Sequence, residues 1–267
     1  KNYIYLNCHV APYGQTINFL KNDANVFKGK KLDAVLLALD FSSLGYSKTK
    51  NIAHNTFHYI KEIVDLVNSE FKTPCIIQNM INSSAFIYGS LDFLMEDSHR
   101  YITYEINGLL KEELKRNNYN IIFDVEKLSS MLGIDLWCDE TLFYLAKIPI
   151  SKTAIPAYSY YLSNIIGSIK GKSKRLLVLD LDNTLWGGVI GDIGIENVEI
   201  GQTSPLGEAY TTFQKYLLQL RERGVLLAIS SKNNSASTIN AINKHPEMLI
   251  KEMHLSAYEI NSKDKAQ

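Results

Sequence analysis

Two aspartates that follow an apolar run are the residues of this sequence best suited to chemistry. The run Leu176–Leu179 is followed by Asp180 and Asp182, and then by Asn183 and Thr184. Side chains alternate with a period of two along a strand, so both carboxylates can project toward the same space near the strand end. Carboxylates that close together repel unless a divalent cation lies between them or one of them is protonated. The pattern therefore indicates a reactive site.

The chemistry that this pattern favours is phosphoryl transfer. A carboxylate at a strand end can attack a phosphorus atom and form an aspartyl phosphate. Asp180 is the candidate nucleophile because it ends the strand, and Asp182 is placed to protonate the leaving oxygen and later to accept a proton from water. The hydroxyl of Ser231 suits the neutralisation of charge on the transferring group. The alternative is a loop in which the aspartates bind a structural Ca²⁺ or cap a turn.

The elements around these residues are predicted to form a strand–helix–strand unit. Ser204 followed by Pro205 is typical of a helix start. A second buried strand is predicted over residues 225–229, and Ser230 and Ser231 follow it. Parallel strands joined by a crossover helix open at the same edge of a sheet. The aspartates and the serines are therefore expected at the carboxyl ends of neighbouring strands.

The N-terminal half shows a similar alternation of apolar runs and helical patterns. Its strand candidates are residues 3–6, residues 34–39, Cys75–Gln78 and Ile121–Phe123, and its clearest helical patterns cover residues 52–67 and 101–114. We predict an α/β fold with two three-layer α/β/α domains. Residues 1–149 form the first domain, residues 150–173 a linker helix, and residues 174–267 the second domain.

The composition excludes some classes of partner. Of the 267 residues, 46% are apolar and the formal net charge is zero. A neutral chain has no bulk charge to hold nucleic acid, and no apolar run is long enough to span a membrane. Cys8, Cys75 and Cys138 stand far apart, which indicates reduced thiols and a cytoplasmic protein. The chain starts at Lys1 without a methionine and stops abruptly at Gln267, so both ends are expected to be cut.

The aspartate motif resembles a known family. The first motif of the haloacid-dehalogenase (HAD) superfamily of phosphohydrolases and phosphotransferases is similar to Asp180-Leu181-Asp182-Asn183-Thr184-Leu185. The FkbH-like (HAD-IIIC) subfamily is similar to the continuation Trp186-Gly187-Gly188-Val189-Ile190-Gly191, to Gly201-Gln202, Ser204-Pro205 and Gly207-Glu208-Ala209, and to Ser231-Lys232-Asn233. The match is close over residues 170–267. It is looser over the N-terminal part, which resembles a degenerate SGNH-hydrolase domain of flavodoxin-like architecture.

The resemblance implies a Rossmann-like core without a large cap. It also implies Mg²⁺ held by the carboxylate of Asp180 and the backbone carbonyl of Asp182. Lys265 matches the lysine of the third motif, which pairs with the nucleophile and the phosphate. The phosphate-binding residues implied are Thr184, Ser231, Lys232 and Lys265.

The sequence departs from the family patterns in several places. An acidic pair that completes the metal site would fall beyond Lys265, after the sequence stops. Ser230 stands where relatives that load a glyceryl unit often have cysteine, and an alcohol is a weaker nucleophile than a thiol at neutral pH. Asp139 is followed three residues later by Leu142, where an SGNH hydrolase requires histidine.

Three functions stay open on this basis. The first is a Mg²⁺-dependent phosphatase or phosphotransferase acting on a small phosphorylated acid or polyol, with an acyl carrier protein as a partner in glyceryl transfer for polyketide or surface-polysaccharide biosynthesis. The second is an SGNH-type esterase or acyltransferase, and the third is a non-catalytic module that binds a carrier protein. Loss of phosphate release on Asp180→Asn separates the first from the other two.

Overall fold

The chain divides into two compact α/β units. The computed structural model describes residues 5–23, 27, 30–39, 51–82, 87–233 and 235–261. The first unit covers Lys1–Lys172 and the second Ser173–Gln267. The α/β class expected from the sequence is confirmed. Within the described residues, no helix combines the length and the apolar character needed to cross a membrane.

The first unit is built on a parallel sheet. Its strands are β1 (Val35–Leu37), β2 (Cys75–Gln78) and β3 (Ile121–Phe123), in the order β1-β2-β3. Its helices are α1 (Thr16–Asn18), α2 (Ile52–Phe71), α3 (His99–Arg116), α4 (Val125–Leu132), α5 (Ile134–Trp137), α6 (Glu140–Ala146) and α7 (Ile155–Ile169), with a π-helical turn at Phe19–Asp23 and a 3-10 turn at Gly89–Phe93. The strands at 75–78 and 121–123 have the predicted bounds. Of the strand candidate at 3–6, residues 5 and 6 are not in a strand and the rest lies outside the described residues.

Helices pack on both faces of this sheet because its strands are apolar on both faces. In α2, the buried residues Ile60, Ile63, Val64 and Val67 recur at helical spacing and form one stripe. That stripe packs with one face of the sheet, while Phe123 on the other face packs with residues of α4, α5 and α7.

The segment predicted as a linker helix belongs physically to the first unit. Helix α7 packs against the core that contains Ile76 and Phe123. The hydroxyl of Tyr158 in α7 donates to the Gln78 side chain at the end of β2, at 3.0 Å. The boundary between the two units therefore follows α7 and falls between residues 172 and 173.

The second unit holds the aspartate motif. Its strands are β4 (Leu176–Leu179), β5 (Leu226–Ser231) and β6 (Ala257–Ile260), all parallel and in that order. Its helices are α8 (Ile190–Ile193), α9 (Pro205–Glu222) and α10 (Ser235–Lys244), with 3-10 turns at Ile195–Asn197 and Glu252–His254. The expected strand–helix–strand unit is thus present as β4, α9 and β5. Both strands present their carboxyl ends at one edge of the sheet.

One face of this sheet carries the core of the second unit. Leu179, Leu227 and Ile229 are buried there with Leu217 of α9 and Ile242 of α10. The neighbouring strand residues point to the opposite face, and three of them are about half exposed: Leu176 (53%), Val178 (55%) and Leu226 (52%).

Candidate active site

Asp180 and Asp182 lie directly after β4, and both are half-buried. The Asp180 carboxylate accepts a hydrogen bond of 2.9 Å from the neighbouring amide N–H of Leu181. The intervening Leu181 side chain is fully buried in the core, so the two aspartates flank an anchored position. The motif therefore begins in a fixed backbone.

A tight turn follows the second aspartate. The amides of Thr184 and Leu185 both donate to the carbonyl of Leu181, at 3.0 and 2.8 Å. Asn183 has a left-handed backbone (φ 55°), a conformation that asparagine tolerates better than most residues. Its side-chain oxygen accepts from the amide of Gly188 at 2.9 Å. Thr184, a predicted phosphate-binding residue, lies within this turn.

The carboxylate of Asp182 is held by three N–H donors. Oδ1 accepts from the Trp186 indole at 3.0 Å and from the amide of Ile190 at 3.1 Å. Oδ2 accepts from the Asn233 side-chain amide at 3.0 Å. Trp186 is fully buried, so its indole position is set by the core. This side chain has one orientation in the site.

The end of β5 supplies the other predicted residues. Ser231 is the last residue of β5 and is buried, Lys232 next to it is exposed, and Asn233 is half-buried. Nδ2 of Asn233 lies 3.4 Å from the Ser231 hydroxyl oxygen as well as 3.0 Å from Asp182. The structure therefore brings Asp182 and Ser231 into one hydrogen-bonded group. Lys265 lies outside the described residues.

The loop between the motif and α9 is pinned at both ends. Gly187 and Glu199 exchange backbone hydrogen bonds of 2.9 Å in both directions. The Ser204 hydroxyl contacts the Glu199 carboxylate and accepts from the amide of Gly207 at 3.0 Å, which caps α9. A cap of this kind is what the Ser204-Pro205 pair predicted. The short loop leaves no room for a large inserted cap domain in this segment.

A buried glutamine on α9 hydrogen-bonds the backbone of the aspartate motif. Gln214 of α9 is fully buried, and its Nε2 donates to the carbonyl of Leu185 at 2.8 Å. Its Oε1 accepts from the amides of Leu249 and Ile250, at 2.9 and 3.0 Å. One side chain thus fastens the end of the aspartate turn to a distant segment.

The oxygen atoms at this site suit a hard divalent cation. Mg²⁺ prefers oxygen ligands and is usually held by one or two carboxylates together with water. Asp180 offers a carboxylate, whereas the side chain of Asp182 is engaged by N–H donors and leaves its backbone carbonyl as the ligand. Over the described ranges, no group of three or more His, Cys, Asp or Glu side chains could hold a metal. A site with one carboxylate, one carbonyl and water fits the residues present.

Sequence reasoning missed the roles of Trp186, Asn233 and Gln214. In the sequence, Trp186 stands out only as part of the motif that continues from the aspartates, whereas in the structure its indole N–H orients Asp182. Asn233 stands two residues after the strand-end hydroxyl of Ser231, and an amide at that spacing was the available signal. Gln214 carries no local signal beyond a polar residue on the apolar stripe of a helix.

Asp139, the aspartate that the SGNH pattern points to, caps a helix in the first unit. The Asp139 carboxylate accepts from the amide of Leu142 at 2.9 Å and caps α6. A cavity of about 340 Å³ in this unit is lined by residues of α3 and α4, among them Arg100 and Glu126. No candidate residue named from the sequence lines it.

The comparisons with known proteins give one finding. No family model and no curated protein matches the chain. A solved structure does match it: the N-terminal part of the protein BF1531 from Bacteroides fragilis, which contains a phosphatase domain complexed with Mg. The TM-score is 0.83 and the identity 26%, with 96% of this chain and 69% of that chain covered. The chain is therefore similar, over nearly its whole length, to a protein that contains a phosphatase domain.

Proposed function

We propose that the protein is a Mg²⁺-dependent phosphatase of the HAD type, acting through an aspartyl phosphate on Asp180. The observation that carries this is the Asp182 carboxylate, held by three donors two residues after Asp180. An acid fixed beside a nucleophile is what a double displacement on phosphorus requires. The likeness to a phosphatase domain complexed with Mg supports the same assignment.

The reaction proceeds in two displacements. The Asp180 carboxylate attacks phosphorus, the bond from phosphorus to the ester oxygen breaks, and Asp182 gives that oxygen its proton. Water then attacks the aspartyl phosphate and passes a proton to Asp182, while the bond from phosphorus to Asp180 breaks and releases inorganic phosphate. Both residues return to their starting states, and the net change is hydrolysis of one phosphate ester.

The bound cation would be held by the Asp180 carboxylate and the Asp182 backbone carbonyl. It supplies charge neutralisation for the phosphoryl oxygens. The Ser231 hydroxyl, with Thr184, Lys232 and Lys265, is proposed to bind those oxygens. The protein's own contribution is to fix the nucleophile, the acid and this hydroxyl at one sheet edge.

We further propose an FkbH-like role for the protein, with residues 174–267 as the phosphatase domain and residues 1–149 as an SGNH-like accessory domain. The substrate would be a small phosphorylated acid or polyol, and an acyl carrier protein would be the partner in glyceryl transfer. The motifs at Trp186-Gly187-Gly188 and Ser231-Lys232-Asn233 support this role. Ser230 in place of cysteine favours phosphate release over acyl transfer. The widely spaced cysteines favour a cytoplasmic location.

The proposal is tested by phosphate release with and without Mg²⁺, over a panel of three-carbon acid and polyol phosphates. We expect Asp180→Asn to lower the rate by on the order of a thousandfold or more, because the amide cannot attack phosphorus. Asp192→Asn is the matched control, since Asp192 is exposed and outside the site. Full activity in Asp180→Asn would overturn the proposal, and esterase activity that survives this change would favour a hydrolase in the first unit.

A further inference from the structure

We infer that Asn233 and Trp186 are positioning residues that fix Asp182 as the proton donor and assign the transferable proton to its Oδ2 atom. The inference rests on the proposed function. It adds two residues to the machinery and names the atom that carries the proton. Its evidence is the set of hydrogen bonds around one carboxylate.

The hydrogen bonds to the Asp182 carboxylate indicate which of its two oxygens would carry the proton. A carboxylate offers about four lone-pair positions, two on each oxygen. Oδ1 uses both, because it accepts from the Trp186 indole and from the amide of Ile190. Oδ2 accepts from Asn233. Among the described residues, these bonds leave one acceptor position, on Oδ2, which is where a proton transferred by Asp182 would be carried.

The donors also keep the side chain of Asp182 from coordinating the cation that Asp180 would hold. Indole and amide N–H groups cannot share an acceptor position with a cation, and rotation of the carboxylate toward the cation would break three hydrogen bonds. Breaking them would leave the buried Trp186 N–H without its acceptor, and an unpaired buried donor is unfavourable. The two aspartates are thereby held to different tasks.

Asn233 connects the acid to the phosphate site. Its amide has two N–H groups, and Nδ2 lies 3.0 Å from Asp182 Oδ2 and 3.4 Å from the Ser231 oxygen. Asn233 follows β5, whereas Asp182 follows β4. The shorter contact is with Asp182, so the amide mainly holds the acid, whereas Ser231 is fixed as the buried last residue of β5.

The test compares two substrates that differ in their need for a proton. The leaving oxygen of glycerol 1-phosphate becomes a strongly basic alkoxide unless it is protonated, whereas 4-nitrophenolate leaves without a proton. We expect Asn233→Leu to lower kcat/KM for glycerol 1-phosphate by about 10- to 100-fold, a part of the 10²–10⁴-fold typical of general-acid catalysis. For 4-nitrophenyl phosphate the change should be less than about threefold, because kcat/KM reports only the steps up to phosphorylation of Asp180. Asn243→Leu, at an exposed asparagine on α10, is the matched control.

Equal losses on the two substrates would overturn the inference, because a damaged fold or a damaged phosphate site slows both alike. No loss on either substrate would overturn it as well. Wild-type protein that hydrolyses neither phosphate would count against the proposed function instead, and a second measurement then decides the inference.

That second measurement needs no turnover. The indole N–H of Trp186 gives an NMR signal that depends on its bond to Asp182, and Trp137 gives the other indole signal of the chain. We expect Asn233→Leu and Asp182→Asn to shift the Trp186 signal and leave the Trp137 signal in place. An unmoved Trp186 signal in both variants would contradict the positioning role.

Discussion

Asp180 and Asp182 are chemically identical, and their hydrogen bonds make them different. Asp180 accepts from the adjacent amide, while Asp182 accepts from a loop indole, a loop amide and a side chain that follows another strand. A carboxylate held by three donors keeps its orientation during a reaction. The fixed orientation of Asp182 supports its proposed role as the proton donor.

Gln214 offers a test of stability at the residue scale. We expect Gln214→Leu to lower the free energy of unfolding of the second unit by about 2–4 kcal/mol, because it leaves one buried carbonyl and two amides without their partner. Urea unfolding followed by circular dichroism measures the change. Gln219→Leu, at an exposed position of the same helix, is the control. Equal stability of the two variants would contradict the supporting role of Gln214.

The spacing of residues could predict only the local part of the site. Asp180 and Asp182 stand out because two carboxylates follow an apolar run. Ser231 stands out because a hydroxyl follows a second apolar run. The bond from Asn233 to Asp182 joins residues 51 positions apart, and it exists only because β4 pairs with β5. No local pattern encodes that distance.

Among the elements, those with strong local signals could be predicted closely. Helix α9 begins at Pro205 after a serine cap, and β2, β3 and β4 have their predicted bounds. The short helices α4, α5 and α6 were missed because fewer than ten residues carry little periodicity. Strand β5 extends to Ser231, two residues beyond its predicted end, since pairing with β6 continues there. Tertiary pairing decided that boundary.

Replacing glycine by alanine should have opposite effects on stability at two helix positions. A Cβ on Gly207, in the first turn of α9, would lie 2.9 Å from the carbonyl oxygen of Gly201, whereas one on Gly108 of α3 would meet nothing within 4 Å. We expect Gly108→Ala to stabilise the first unit by up to about 1 kcal/mol through helix propensity. Gly207→Ala should destabilise the second unit by about 1–3 kcal/mol through overpacking. Urea midpoints measure both effects, and a stabilising Gly207→Ala would show that the close contact relaxes without cost.

On the scale of the whole molecule, the unfolding of the first unit can be followed by the reactivity of its buried thiol. Cys75 lies in the core of the first unit with no exposed surface, and burial raises its thiol pKa to about 12. The thiolate is the reactive form, so a thiol reagent at pH 8 should label the exposed Cys8 and spare Cys75 until the first unit unfolds. Mass spectrometry of labelled peptides measures this.

The same thiol makes the first unit sensitive to alkaline pH. Between pH 9 and 12 the unfolded chain loses the Cys75 proton and the folded chain keeps it, so stability is full below about pH 9 and falls as the pH rises. From pH 8 to pH 10 we expect a loss of about 1.4 kcal/mol that Cys75→Ala does not show. An equal loss of stability between pH 8 and pH 10 in the wild-type protein and in Cys75→Ala would contradict this account.

The division into units shows why domain organisation was harder to predict than fold class. Gly171 and the polar residues after it mark a break that is visible in the sequence. The apolar stripe of α7, by contrast, does not reveal which unit it covers, because an amphipathic helix specifies a face and not a partner. Its contacts with Ile76 and Phe123 settle the question.

The donors around Asp182 also bear on the order in which the site is assembled during synthesis. Trp186 and Ile190 leave the ribosome soon after the aspartates, but Asn233 follows only after α9 and β5 have been made. A nascent chain would therefore carry both acidic groups for some time before Asp182 has all three of its donors. The arrangement around Asp182 would be complete only after β5 had paired with β4.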